Sequence, residues 1–98
     1  MGEQSLSGQV VVVIRAYPEG IVENLEELVK KIEAAIPRER YSIMKWEPVD
    51  IAFGYRAIDL YIVMPENVEG GTEELEEKIK SVEGIENVDV MYVTRLGL

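Results

Sequence analysis

The segment from Pro48 to Met64, PVDIAFGYRAIDLYIVM, contains the strand that decides the fold and the residues that lead into it. From Tyr55 onward, apolar residues alternate with a second set, which is the pattern of a strand with one buried face. The core-like set is Ile58, Leu60, Ile62 and Met64. Before this strand, a proline, an aromatic residue and a glycine predict a loop over 48–55 with Phe53 at its tip.

Three further segments have the composition of strands. Gln9–Tyr17 (QVVVVIRAY) is rich in β-branched residues, and Pro18-Glu19-Gly20 ends it. Tyr41–Glu47 (YSIMKWE) is predicted as the second strand, although its alternation does not decide which face is buried. The last predicted strand runs from about Asn87 to Leu96.

Two amphipathic helices separate these strands. The first follows Asn24, a predicted N-cap with Glu27 three residues later, and Pro37 ends it. The second follows Thr72, also a predicted cap, and Gly84 is expected to stop it. The resulting order is β-α-β-β-α-β.

That order predicts an α+β fold of the ferredoxin-like type, with a four-stranded antiparallel sheet and two helices on one face. A chain of 98 residues is long enough for one hydrophobic core. We expect a flexible N-terminal segment over residues 1–8 and a single domain over residues 9–98.

Charge and composition narrow the range of functions. The formal net charge of −9 would repel nucleic acid and attract a basic protein partner. No apolar run is long enough to span a membrane, and the absence of cysteine favours the cytoplasm. The chain also has no histidine, so the usual general base and the commonest metal ligand are missing. We therefore expect neither an enzyme nor a bound cofactor or metal.

Ferredoxin-like domains serve several functions, which the residues help to separate. The strands lack the aromatic motifs of an RNA-recognition module, and the metal-carrying form needs cysteines. An acylphosphatase-like enzyme needs an anion-binding loop after the first strand, where Glu19 stands instead. One alternative stays open, because Pro18–Val22 (PEGIV) resembles the turn of ACT-like domains, which sense small molecules such as amino acids.

Several blocks of sequence, in the right order from Gln9 to Leu96, resemble the archaeal form of elongation factor 1-beta. The first is Pro48-Val49 with Ala52-Phe53-Gly54, which leads into the third strand. The others are EGGTE at 69–73, VEGI at 82–85, VDV at 88–90, and Arg95-Leu96.

The resemblance implies a guanine-nucleotide exchange factor for elongation factor 1-alpha, the GTPase that carries aminoacyl-tRNA to the ribosome. Relatives place a lysine near their C-terminus that displaces the Mg²⁺ of the GTPase, and Arg95 occupies that position here. The family's loop aromatic, which presses into the GTPase and disturbs its nucleotide site, corresponds to Phe53. Neighbouring residues expected to contact the partner are Ala52, Gly54, Tyr55, Arg56 and Leu96.

In this interpretation GDP, GTP and Mg²⁺ are bound by the partner, and the protein works as a monomer. Two simpler interpretations remain for the site residues. Phe53 can pack into the core of its own domain, and Arg95 can be an ordinary solvated charge near the end of the chain.

Overall fold

The computed structural model describes residues 8–66 and 71–96, and within them four strands form one antiparallel sheet. The strand order across the sheet is β2-β3-β1-β4, with both helices on one face. This confirms the predicted ferredoxin-like βαββαβ fold. The elements are β1 (Gln9–Pro18), α1 (Leu25–Ala35), β2 (Ser42–Ala52), β3 (Tyr55–Pro65), α2 (Glu73–Lys80) and β4 (Ile85–Arg95). Of the predicted flexible segment 1–8, only Gly8 lies among the described residues.

The core lies between the sheet and the two helices. The predicted alternation of β3 is confirmed, because Ile58, Leu60 and Ile62 are fully buried and Met64 nearly so. β1 pairs with β3 so that Ile14 lies opposite Leu60, and these residues therefore share a face. Both helices contribute to the same cluster, through Leu25, Leu28, Val29 and Ile32 of α1 and Leu75 and Ile79 of α2.

The predicted loop over 48–55 is wrong, because β2 continues through Pro48 as far as Ala52. β2 is an edge strand, and a proline is tolerated there because its missing N–H can face solvent. A bulge near Met44 also explains the unclear alternation of this strand. It brings both Ile43 and Trp46 against the core, opposite Ile62 and Leu60 of β3.

The helix ends differ from the capping predictions. The side chain of Asn24 makes no capping hydrogen bond. The Thr72 hydroxyl donates instead to Glu76 Oε2, at 2.6 Å. α1 ends at Ala35, and Ile36 is extended because the following proline disfavours a helical conformation there. α2 ends at Lys80, so Gly84 belongs to the turn before β4 rather than to the helix end.

The face of the sheet away from the helices holds a part-buried ion pair. Arg15 of β1 and Asp59 of β3 are register partners, and the guanidinium donates from Nε to Oδ1 at 2.7 Å and from Nη2 to Oδ2 at 3.0 Å. The hydrogen bond to Asp59 raises the pKa of Arg15. The pair therefore links the two central strands on the side that the helices leave open.

A second polar cluster joins the start of β2 to α2. The hydroxyl of the buried Tyr41 donates to Glu74 Oε1 at 2.9 Å, and Arg40 Nη2 lies 2.6 Å from Glu74 Oε2. The hydrogen bond from Tyr41, followed by the charge of Arg40, lowers the pKa of Glu74. Burial and the bond to Glu74 raise the pKa of Tyr41, which keeps it a donor.

We expect Asp59→Ala to lower the free energy of unfolding by about 2–3 kcal/mol, because it leaves the Arg15 guanidinium without its part-buried partner. Glu47→Ala is the matched control, since its pair with Lys45 is about half exposed on both sides. That change should lower the free energy of unfolding by less than about 1 kcal/mol. Urea unfolding measures both, and equal losses would contradict the assignment.

We expect Glu74 to contribute to stability at neutral pH and not in acid. Its pKa is depressed in the folded state, so its contribution is present above the unfolded pKa and is lost as the pH falls through the folded one. Glu74→Gln should therefore be less stable than the parent at pH 7, and the difference should shrink as the pH falls below the ordinary pKa of a glutamate and vanish once it is below the lowered pKa of Glu74. Thermal unfolding at several pH values tests this, and a difference independent of pH would contradict it.

Candidate functional site

The turn between β2 and β3 presents Phe53 at the end of the molecule. Ala52 and Tyr55 are register partners, so Phe53 and Gly54 form a two-residue hairpin turn. Both have positive φ, 50° at Phe53 and 83° at Gly54, as a type I′ turn requires. A bulky side chain in the left-handed region is strained, and such strain often accompanies function.

Phe53 does not pack into the core, because its side chain is 100% exposed. Two more apolar side chains near the turn are also exposed, Ile21 in the β1–α1 loop and Ile51 in β2. A Cβ atom at position 54 would lie 3.9 Å from Ile21 Cδ1, so the loop runs beside the turn. Phe53, Ile21 and Ile51 are thus three exposed apolar side chains at this end of the molecule, which we call the tip patch. An exposed apolar patch of this kind is typical of a protein-binding surface.

Tyr55 and Arg56 hold the tip patch in place rather than extending freely from it. The Tyr55 hydroxyl donates to the carbonyl oxygen of Pro18 at 2.7 Å, and Arg56 Nη2 donates to the carbonyls of Val22 and Glu23 at 3.2 and 3.3 Å. Burial raises the pKa of Tyr55, so it stays protonated as a donor. Both side chains therefore fix the β1–α1 loop against the hairpin.

Arg95 lies at the end of β4, opposite Val10 at the start of β1. Its side chain is 76% exposed and forms an ion pair with Glu66, which follows β3. Leu96 is also exposed, and its backbone N–H donates to the carbonyl oxygen of Gln9 at 2.9 Å. A cationic side chain and an apolar one are thus presented together at this end of the sheet.

The structure does not bring Phe53 and Arg95 together. Arg95 is level with Val10, whereas the β2–β3 turn lies beyond the level of Ala16, at the other end of β1. Val10 pairs with Met64 of β3, which is eleven positions along the chain from Phe53. Eleven residues of extended strand correspond to roughly 35 Å. The molecule is 49 Å along its longest axis, so the two residues mark opposite ends of an elongated domain.

Among residues 8–66 and 71–96, no group of three or more histidine, cysteine, aspartate or glutamate side chains is arranged to hold a metal ion. Over the same residues, no helix is long and apolar enough to cross a membrane.

Comparison with known proteins decides the family. The profile of the EF-1 guanine nucleotide exchange domain matches residues 11–96, which is nearly the whole sheet and both helices. The chain belongs to this family. The match favours the exchange domain over the ACT-like alternative. Of the EGGTE block that carried part of the resemblance, residues 69 and 70 lie outside the described residues.

Curated relatives with the name Elongation factor 1-beta are similar over almost their whole length. The protein from Desulfurococcus amylolyticus is 48% identical over 91% of this chain and 98% of the relative. That from Thermofilum pendens is also 48% identical, over 91% and 97%. The relative from Ignicoccus hospitalis is 42% identical, over 91% and 94%. The archaeal elongation factor resemblance is thereby confirmed.

Three residues that sequence reasoning did not single out belong to the two ends of the exchange domain. Ile21 and Ile51 are exposed near Phe53. The one sign of this in the sequence was that neither residue belonged to the predicted core. Glu66 pairs with Arg95 from 29 positions away in the sequence, so no local pattern could have revealed it. Ala52 and Gly54 are exposed as expected of contact residues, although their contact with a partner stays a prediction.

We expect Phe53→Asn to raise the free energy of unfolding by about 0.5–1 kcal/mol, because asparagine tolerates the left-handed region better than phenylalanine. No packing is lost, since the ring is fully exposed. Phe53→Ala is the control, as it removes the ring but keeps an unfavourable residue in the turn. Urea unfolding midpoints compare the three proteins, and a loss of stability in Phe53→Asn would contradict the exposed, strained turn.

Proposed function

We propose that the protein promotes release of GDP from elongation factor 1-alpha. Membership of the exchange-domain family supports this function, and the names of the relatives support a role in translation elongation. The observation that carries the proposal is the fully exposed Phe53, held in a strained turn by bonded neighbours. An apolar anchor kept out of its own core is poised to enter a partner.

In the proposed mechanism, Arg95 displaces the Mg²⁺ that the GTPase uses to hold the phosphates of GDP. The metal is a large local charge, and its removal leaves the phosphates uncompensated and weakens nucleotide binding. A guanidinium carries the positive charge needed at that position, although it is planar and bulkier than the lysine ammonium of relatives. Its high exposure makes Arg95 accessible to the partner.

Phe53 acts at a second point on the same partner. A separation of roughly 35 Å is too large for both side chains to enter one nucleotide pocket. We therefore propose that the tip patch binds an apolar pocket on the GTPase while Arg95 reaches the metal site. Ala52, Gly54 and Leu96 complete the two contacts, and Tyr55 and Arg56 support the first by holding the hairpin.

The remaining parts of the proposal follow from this mechanism. The protein acts in the cytoplasm, where translation takes place, and it works as a monomer with one GTPase. It performs no covalent chemistry and needs no cofactor of its own, because GDP and Mg²⁺ are bound by the partner. The negative charge of the protein suits a basic protein surface and opposes direct binding of nucleic acid.

We expect Arg95→Ala and Phe53→Ala each to lower the exchange kcat/KM by about 30-fold, which corresponds to ~2 kcal/mol for an interface hot spot. The assay follows release of a fluorescent GDP analogue from the GTPase. Lys30→Ala and Tyr92→Ala are the matched controls, since they remove an exposed cation of α1 and an exposed aromatic of β4. Both controls should leave the rate unchanged.

Arg95→Lys, which restores the lysine of relatives, should keep most of the activity. Acceleration that survives both alanine changes would leave the function standing and refute the two site assignments. No acceleration by the parent protein at stoichiometric concentration would refute the proposed function itself.

A further inference from the structure

An ion pair crosses the end of the sheet where Arg95 lies. Glu66 directly follows β3 and Arg95 ends β4, while β1 runs between these two strands. Arg95 Nη2 and Glu66 Oε2 nevertheless form an ion pair. The carboxylate therefore reaches across the first residues of β1 to the guanidinium.

The backbone at the start of β1 leaves room for this reach. Glu66 N–H donates to the carbonyl oxygen of Gly8 at 3.3 Å, which fixes Glu66 beside the strand. Gly8 has a φ of 73°, and a Cβ atom there would lie only 2.8 Å from Glu66 Oε1. A side chain at position 8 would thus displace the carboxylate as well as strain the backbone.

The two partners differ in how open they are. The Arg95 side chain is 76% exposed, whereas that of Glu66 is 31% exposed and is attached to a hydrogen-bonded backbone. The Arg95 guanidinium can therefore move out of the ion pair while the Glu66 carboxylate stays in place. An arginine that must enter a metal site on a partner has to break this pair first.

We propose that Glu66 is a positioning residue for Arg95, which it holds in the free protein and releases when the GTPase binds. This inference rests on the proposed function. Glu66 keeps a fraction of the molecules in a paired state that cannot engage the metal site. The apparent affinity for the partner is the intrinsic affinity multiplied by the fraction of molecules in which the pair is broken. The maximal rate is not changed.

The size of the effect follows from the exposure of the pair. Ion pairs at the protein surface contribute little to stability. If the Glu66–Arg95 pair has the strength typical of such pairs, it is broken in between about one sixth and two fifths of the molecules at any time. Removing the charge of Glu66 should therefore lower the half-saturating concentration of the protein about two- to sixfold. The effect should shrink as salt screens the pair.

The test measures GDP release at increasing concentrations of Glu66→Gln, with Glu47→Gln as the matched control. Both changes remove one negative charge and one surface ion pair, but Glu47 pairs with Lys45 on β2, away from Arg95. We expect Glu66→Gln to lower KM about two- to sixfold with kcat unchanged, and Glu47→Gln to change neither. An unchanged or raised KM in Glu66→Gln, relative to this control, would overturn the inference.

The same change in an Arg95→Ala background separates positioning from bulk charge. Without the guanidinium, Glu66→Gln should shift KM no more than Glu47→Gln does. An equal two- to sixfold shift in that background would overturn the inference, because Glu66 would then act independently of Arg95. If the parent protein accelerates release and only these shifts are missing, the proposed function stands without this inference. A parent protein without any activity refutes both.

Discussion

The antiparallel pairing of β1 with β3 is the constraint on which both ends of the domain depend. Ile14 opposite Leu60 places core residues of the two strands on the face that the helices cover. Arg15 opposite Asp59 joins the same strands on the other face. A shift of one residue would exchange the two faces and bury the charges, so this register is strongly specified.

The register also fixes where the exposed side chains lie. Because β3 and β4 are both antiparallel to β1, they run in the same direction, so the start of β3 and the end of β4 lie at opposite ends of the sheet. Phe53 therefore extends from one end, held by the bonds of Tyr55 and Arg56, and Arg95 from the other, paired with Glu66. In the proposed complex the core would be a rigid spacer between two contacts with the GTPase, and rigidity limits the loss of conformational entropy when both are made at once.

Much of the fold could be predicted from the sequence, because the alternation of β3 and the β-branched run of β1 are local patterns. The extent of β2 could not, since Pro48 reads as a breaker unless the strand is known to lie at an edge. Phe53 and Arg95 were identified through resemblance, and their separation follows from the pairing of β1 with both β3 and β4 rather than from any local pattern. The pairing of Glu66 with Arg95 could be recognised only from the topology, which places β3 and β4 on either side of β1.

The central claim is that one GTPase contacts both ends of this domain at the same time. The most direct test is to record backbone amide NMR spectra of the labelled protein during titration with the nucleotide-free GTPase. The account predicts that the largest changes occur around Phe53 and Gly54 and also around Arg95 and Leu96, with the same concentration dependence. Changes confined to one end, or to the face that carries Arg15 and Asp59, would contradict it.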